Sequence, residues 1–176
     1  HISPRRATRE PGWRMMPSRT TSDGKRVKVL RTLITGVGAD GRSCVLGEEK
    51  LALDQLAPGF AMAIPYATTA SPPPARPAGA APLIDQGIAP GVVRWMVVDL
   101  GPGIETPTHH TDTLDLQTVL SGSVDLVLDD GAHRLEPGDL VVLTGVDHAW
   151  RAGQHGCRLT AVLIGTPPPD TEADSQ

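Results

Sequence analysis

The sequence predicts an all-β sandwich or barrel. Between Val92 and Ile164 short apolar runs recur with no helical periodicity. Turn signals separate them: Ser121-Gly122, Asp129-Asp130-Gly131, Pro137-Gly138-Asp139 and Gly153. Aromatic residues make up only 3% of the chain, so Val, Leu, Ile and Ala must fill the core.

Taken in order, residues 1–26 are rich in Pro, Arg, Ser, Thr and Gly and read as a disordered arm. Val27–Thr35 is β-branched and strand-like; Gly38–Gly41 turns the chain, and Ser43–Leu46 returns as a hairpin. Leu51–Pro58 has room for one helical turn, ended by Pro58-Gly59. Pro65–Pro90 is too dense in Pro and Ala for a packed helix and reads as a long extended loop. Such a loop is disordered, folded over a site as a rim or lid, or extended toward a partner subunit. Val92–Leu100 is a strand apolar on both faces. Strands then follow at Leu114–Leu120, Val124–Leu128, Ala132–Leu135, Leu140–Leu143, Ala149–Arg151 and Leu159–Ile164. One domain therefore spans 27–166, with its barrel core at about 92–164, and 167–176 is a polar, acidic, disordered tail.

Composition excludes several functions. The chain has 176 residues, a net charge of −4 and no Lys/Arg run in its folded part, which argues against nucleic acid or an anionic membrane as partner. No apolar stretch approaches the roughly 20 residues of a membrane span. The N-terminus lacks the apolar segment of a secretory signal. Cys44 and Cys157 lie far apart in apolar runs and read as buried free thiols of a cytoplasmic protein.

The functional signal is THHTDTLDLQTVLSG, Thr108–Gly122, which sets His109, His110, Asp115 and Gln117 at the head of an apolar strand. Strand alternation puts Asp115, Gln117 and Val119 on one face, and His109 with Thr111. His148 follows a Pro-Gly-Asp turn and a strand, and shares a face with Trp150. Imidazoles and a carboxylate converging inside a small barrel are the donor set that binds Fe, Mn, Ni or Zn.

These residues resemble the cupin superfamily, whose first motif reads G-x5-H-x-H-x3-4-E-x6-G. Here five residues separate Gly103 from His109, and Asp115 stands at the Glu position, before Gly122. The second motif is matched by Pro137-Gly138-Asp139 and by Gly145-Val146-Asp147-His148. The resemblance covers about 92–164 and implies a double-stranded β-helix (jelly-roll) barrel with an N-terminal hairpin and a long Pro-rich loop. It also implies a small-molecule substrate or ligand, a homodimer, and a divalent metal held by His109, Asp115 and His148. Three positions depart from the pattern: Thr111 replaces the second His, Asp115 replaces Glu, and Ala152 replaces the closing Asn. His110 should point away from its neighbour.

Three functional readings stay open. A metal enzyme would run oxygenase-, isomerase- or lyase-type chemistry on the open face of the ion. A metal-free enzyme would use His109 or His148 as acid and base, with Asp115 and Gln117 orienting the substrate, in an isomerase, cyclase or dehydratase. A non-catalytic cupin would only bind a metabolite. The candidate catalytic residues are Asp115, Gln117 and His148, and the candidate substrate-binding residues are Thr111, Gln117, Trp150 and Trp95. Trp95 and Met96 lie on opposite faces of their strand, so at most one lines the cavity.

Overall fold

A computed structural model describes residues 29–75 and 79–169. The expected arm at 1–26, and the tail from 170 onward, lie outside the described residues. The elements in order are β1 (Leu30–Val37), β2 (Ser43–Leu51), β3 (Asp54–Ala57), β4 (Phe60–Met62), β5 (Val93–Leu100), β6 (Thr113–Leu128), β7 (Gly131–Leu135), β8 (Leu140–Leu143) and β9 (Ala149–Gly165). No helix occurs among the described residues. None is therefore long and apolar enough to cross a membrane.

Two long strands organise the chain. β6 pairs antiparallel with β9 from Thr113↔Gly165 to Val127↔Ala149, with register shifts between Val119 and Ser121 and between Gly122 and Val124. The start of β6 and the end of β9 belong to one layer, ordered β2-β1-β8-β6-β9-β5. The end of β6 and the start of β9 belong to the other, flanked by β7 on one side. On its other side, residues 104–109 run back along β9: Thr106 N donates to Trp150 O at 2.9 Å and Ala152 N to Ile104 O at 2.8 Å. The result is the jelly-roll barrel expected from the sequence. Leu33, Val124, Leu126, Leu135 and Leu143 are fully buried between the layers.

The structure corrects two expectations. Ser121-Gly122 and Gly153 signalled breaks between strands, but β6 and β9 run through them. A glycine in the left-handed region inserts a bulge that bends a strand without ending it. Gly122 has φ 72°, and a Cβ there would come 2.1 Å from Gly156 O, so only glycine fits. The helical turn expected at Leu51–Pro58 is instead the end of β2 and the start of a two-stranded sheet, β3–β4, whose residues are all exposed. Pro58-Gly59 makes a hairpin turn there, with Gly59 at φ 75°.

The β1–β2 hairpin forms around Gly38–Gly41 as expected. Asp129 and Asp130, which read as turn residues, pin it from the far loop: Asp129 Oδ2 accepts from Ser43 N at 2.9 Å, and Asp130 Oδ2 from Val45 N at 2.9 Å. Both cysteines are free thiols, Cys157 buried and Cys44 half-buried.

The two motif glycines give a graded test. Gly103 has φ 68° but open space around it. Gly103→Ala should therefore cost only the backbone strain of about 1–2 kcal/mol. Gly122→Ala should cost clearly more, because its Cβ meets backbone that cannot yield. Urea titration of both variants checks this; equal losses would mean the bulge is not tightly packed.

Candidate functional site

The site begins with a reciprocal backbone bridge. His109 N donates to His148 O at 2.9 Å, and His148 N donates to His109 O at 2.8 Å. This narrow pairing sets the two side chains together, with ring centroids 4.3 Å apart. Each ring is also held by its own chain. His109 Nδ1 lies 2.8 Å from Pro107 O, and His148 Nδ1 lies 2.8 Å from Val146 O. A carbonyl only accepts, so each Nδ1 carries a proton, and in the neutral form of either ring the lone pair is on Nε2. Trp150 packs edge-on against His148 with centroids 5.9 Å apart.

His148 is only 2% exposed. Burial pushes its pKa down to about 4; His109 and His110 add to that effect, while the Val146 carbonyl and Asp147 oppose it. The ring is therefore neutral at physiological pH.

A second group lies along β6. Thr111, Thr113, Asp115 and Gln117 project from one face and are all buried. Thr113 Oγ1 is 2.8 Å from Thr111 Oγ1 and donates to Asp115 Oδ1 at 2.6 Å; Gln117 Nε2 donates to Asp115 Oδ2 at 3.3 Å. Their cross-strand neighbours are apolar: Asp115 lies opposite Leu143 and Leu163, and Gln117 opposite Val141 and Ala161. Burial in that wall pushes the Asp115 carboxyl up to about 6, against the lowering effect of the Thr113 and Gln117 hydrogen bonds. Gln117 Oε1 is buried with no hydrogen-bond partner among the described residues.

These two groups do not form the metal site that the resemblance implies. Among the described residues no three His, Cys, Asp or Glu side chains gather where one ion could touch them. Asp115 is turned along its own strand, with Thr113 on one carboxyl oxygen and Gln117 on the other, and is not gathered with His109 and His148. Thr111 stands where a second histidine would complete the set, and it bonds Thr113. His110 does turn away from His109: its Nδ1 lies 3.3 Å from Asp147 Oδ1, close enough for ionic attraction but not aligned as a hydrogen bond.

Trp95 also falls outside the site. It is 76% exposed on the outer face of β5, with Nε1 donating to Thr160 Oγ1 at 2.6 Å. Met96, Val98 and Leu100 take the inward positions of that strand. A cleft of about 340 Å³ lies elsewhere, lined by Val29, Arg31, Lys50, Arg134, Glu136 and Asp139, none of them a candidate site residue.

Asp147 was not singled out from sequence. Its Oδ2 accepts from Ala80 N at 2.8 Å and from Ala81 N at 3.0 Å, tying the Pro-rich loop to the residue before His148. The available signal was its position inside the second motif, next to a candidate histidine.

Local sequence similarity agrees with this frame. No family model matches the chain. A cupin-domain-containing oxidoreductase of Aspergillus ruber is 38% identical over 55 residues, 31% of this chain and 27% of its own length. A second, from Neurospora crassa, is 36% identical over 55 residues, covering 31% and 28%. Both local matches are to cupin-domain proteins, the family that the sequence motifs resemble. Phomopsin biosynthesis cluster protein C' of Diaporthe leptostromiformis is 43% identical over 67 residues, 38% of this chain and 35% of its own. The matches thus span about a third of these curated relatives. A polyketide cyclase from Streptomyces resistomycificus superposes with a TM-score of 0.38 at 27% identity, over 40% of this chain and 53% of that one. A likeness that partial adds nothing to the assignment.

The buried acid and the buried base pull stability in opposite directions. The Asp115 contribution is full below its ordinary pKa of 3.8 and is lost as pH rises through about 6. The His148 contribution is full above its ordinary pKa of 6.5 and is lost as pH falls through about 4. Each shift corresponds to roughly 3 kcal/mol, so the two slopes largely cancel between about pH 4 and 6. Asp115→Asn should raise stability at pH 7 by about 1–3 kcal/mol and leave a protein that weakens on acidification. His148→Gln should instead weaken as pH rises from 4 to 6. Denaturant titrations at pH 4, 5 and 7 check both signs.

Proposed function

We propose that this chain is a cupin enzyme acting on a small organic molecule, and that His109 and His148 transfer a proton on it without a metal. The observation that supports this most is the fixed tautomer of both rings. Two imidazoles side by side, each with Nδ1 on a main-chain carbonyl, offer Nε2 lone pairs as acceptors for a substrate proton.

The buried environment shapes the chemistry further. His148 accepts a proton from the substrate at Nε2. Because burial makes the resulting imidazolium a strong acid, the ring returns that proton readily to a second position. A proton taken and given back is what isomerisation, cyclisation and dehydration require. His109, half-buried beside it, exchanges the proton with solvent between turnovers. Trp150 supplies an apolar wall. Thr111, Asp115 and Gln117 form a polar row in which Gln117 Oε1 can accept a hydrogen bond from a bound hydroxyl or amide. The names of the relatives from biosynthesis clusters support a specialised metabolite as the substrate on this reading. The homodimer belongs to the same proposal; the exposed apolar side chains Val93, Trp95 and Val97 on edge strand β5 support it.

The test starts from the compound that co-purifies with the protein, identified by mass spectrometry. Its hydrogen–deuterium exchange and turnover are then followed by NMR. His148→Gln should lower turnover by roughly 100-fold or more, the usual contribution of a general base, while binding changes less. Turnover at the parent rate in both His148→Gln and His109→Gln would sink the reading. So would about one equivalent of a first-row metal, on elemental analysis, that is lost in His148→Gln.

A further inference from the structure

The long loop before β5 ends in a segment, residues 79–91, that spans the gap between the two layers. At its start it is held by the second-motif turn and by the strand that carries the histidines. Asp147 Oδ2 accepts from the amides of Ala80 and Ala81. His110 N donates to Pro82 O at 3.0 Å, and Ile84 N donates to His110 O at 2.9 Å, a short parallel bridge one residue from His109. At its end it is anchored in the body: Ile88 is part of the core, Gly91 N donates to Gly165 O at 2.9 Å, and Gly165 lies so close to Ala89 O that a Cβ would come within 2.0 Å. Beneath it lies a cavity of about 20 Å³ lined by Leu83, Asp85, Gln86 and Ile88 from above and by Asp112 and Thr113 below. Thr113 is the residue that bonds Asp115 in the buried polar row.

We propose that residues 79–91 are a strap closing the cavity that leads to the buried polar row of the site, hinged at Ile88–Gly91, and that Asp147 is the positioning residue that latches its N-terminal end. The asymmetry of the two ends supports this. The hinge end is secured by buried apolar contact and by backbone in van der Waals contact, which resist local opening. The latch end is secured by hydrogen bonds to one carboxylate and one residue's backbone, and residues 79, 80 and 82–85 are exposed. The latch is also sterically keyed: a Cβ on Gly79 would lie 2.1 Å from Asp147 Oδ1. Lifting this end uncovers His110 and the cavity above Thr113, and so opens a path to the buried polar row that Thr113 shares with Asp115. Asp147 adjoins His148 in sequence, which ties the state of the latch to the residue assigned the proton transfer.

The strap's significance rests on the reading of His109 and His148 as the working site, but its test does not. Amide hydrogen exchange of the full chain reads the latch directly. In Asp147→Ala and in Gly79→Ala, exchange at Ala80, Ala81 and Ile84 should accelerate roughly tenfold or more, the local opening expected when such hydrogen bonds are lost. Amides of Ala161 and Leu163 in β9 should be unchanged. Asp147→Asn keeps an acceptor oxygen and should retain most of the protection. Gly79→Ala changes no residue of the barrel, so diethyl pyrocarbonate should carbethoxylate His110, which the latch covers, faster in that variant. Unchanged exchange at residues 80–84 in both variants, or equal acceleration in β9, overturns the strap. Loss of turnover in His148→Gln with a normal latch would keep the site and discard only the strap.

Discussion

The two-way hydrogen bond between the backbones of His109 and His148 is the contact on which the rest of the site depends. It closes one layer of the barrel by pairing residues 104–109 with the start of β9. In doing so it places two imidazoles from distant parts of the sequence side by side, tilted by 53°. Once their backbones are paired, the neighbouring carbonyls of Pro107 and Val146 fix both tautomers. The orientation of the rings thus follows from main-chain geometry, with no side-chain carboxylate needed to hold them.

Burial then decides how the titratable groups behave. His148 and Asp115 are both withdrawn from water, and each is pushed toward its neutral form. A neutral imidazole suits a proton acceptor, and a partly protonated carboxyl suits an apolar wall. Asp115 is bonded by Thr113 and Gln117 on its own strand, and among the described residues no three ligand side chains gather. A carboxylate reaching toward a metal would have to leave those bonds. The Pro-rich loop completes the enclosure, tied to the second-motif turn through Asp147.

Much of the architecture was legible from periodicity and turn chemistry. Most strand positions from Val92 onward, the β1–β2 hairpin and the shared face of Asp115 and Gln117 follow from alternation and from Gly and Asp signals. Gly122 misled because a glycine at positive φ serves equally as a turn or as a bulge. Which it becomes depends on whether the partner strand continues past it, as β9 does here. The segment Leu51–Pro58 misled because short apolar runs do not distinguish a helical turn from a hairpin arm. Trp95 misled because a strand apolar on both faces does not declare which face is inside.

By itself the sequence determined the all-β class, the strand frame and the motif spacing that places His109, Asp115 and His148 in a barrel. These are local properties, set by side-chain alternation and turn residues. Only the tertiary structure decided that His109 pairs with His148 while Asp115 is retained by its own strand, that Trp95 faces outward, and that the Pro-rich segment is fastened to Asp147. Those outcomes depend on cross-strand register and on which groups lose water together. Neither is encoded in any short stretch of the chain.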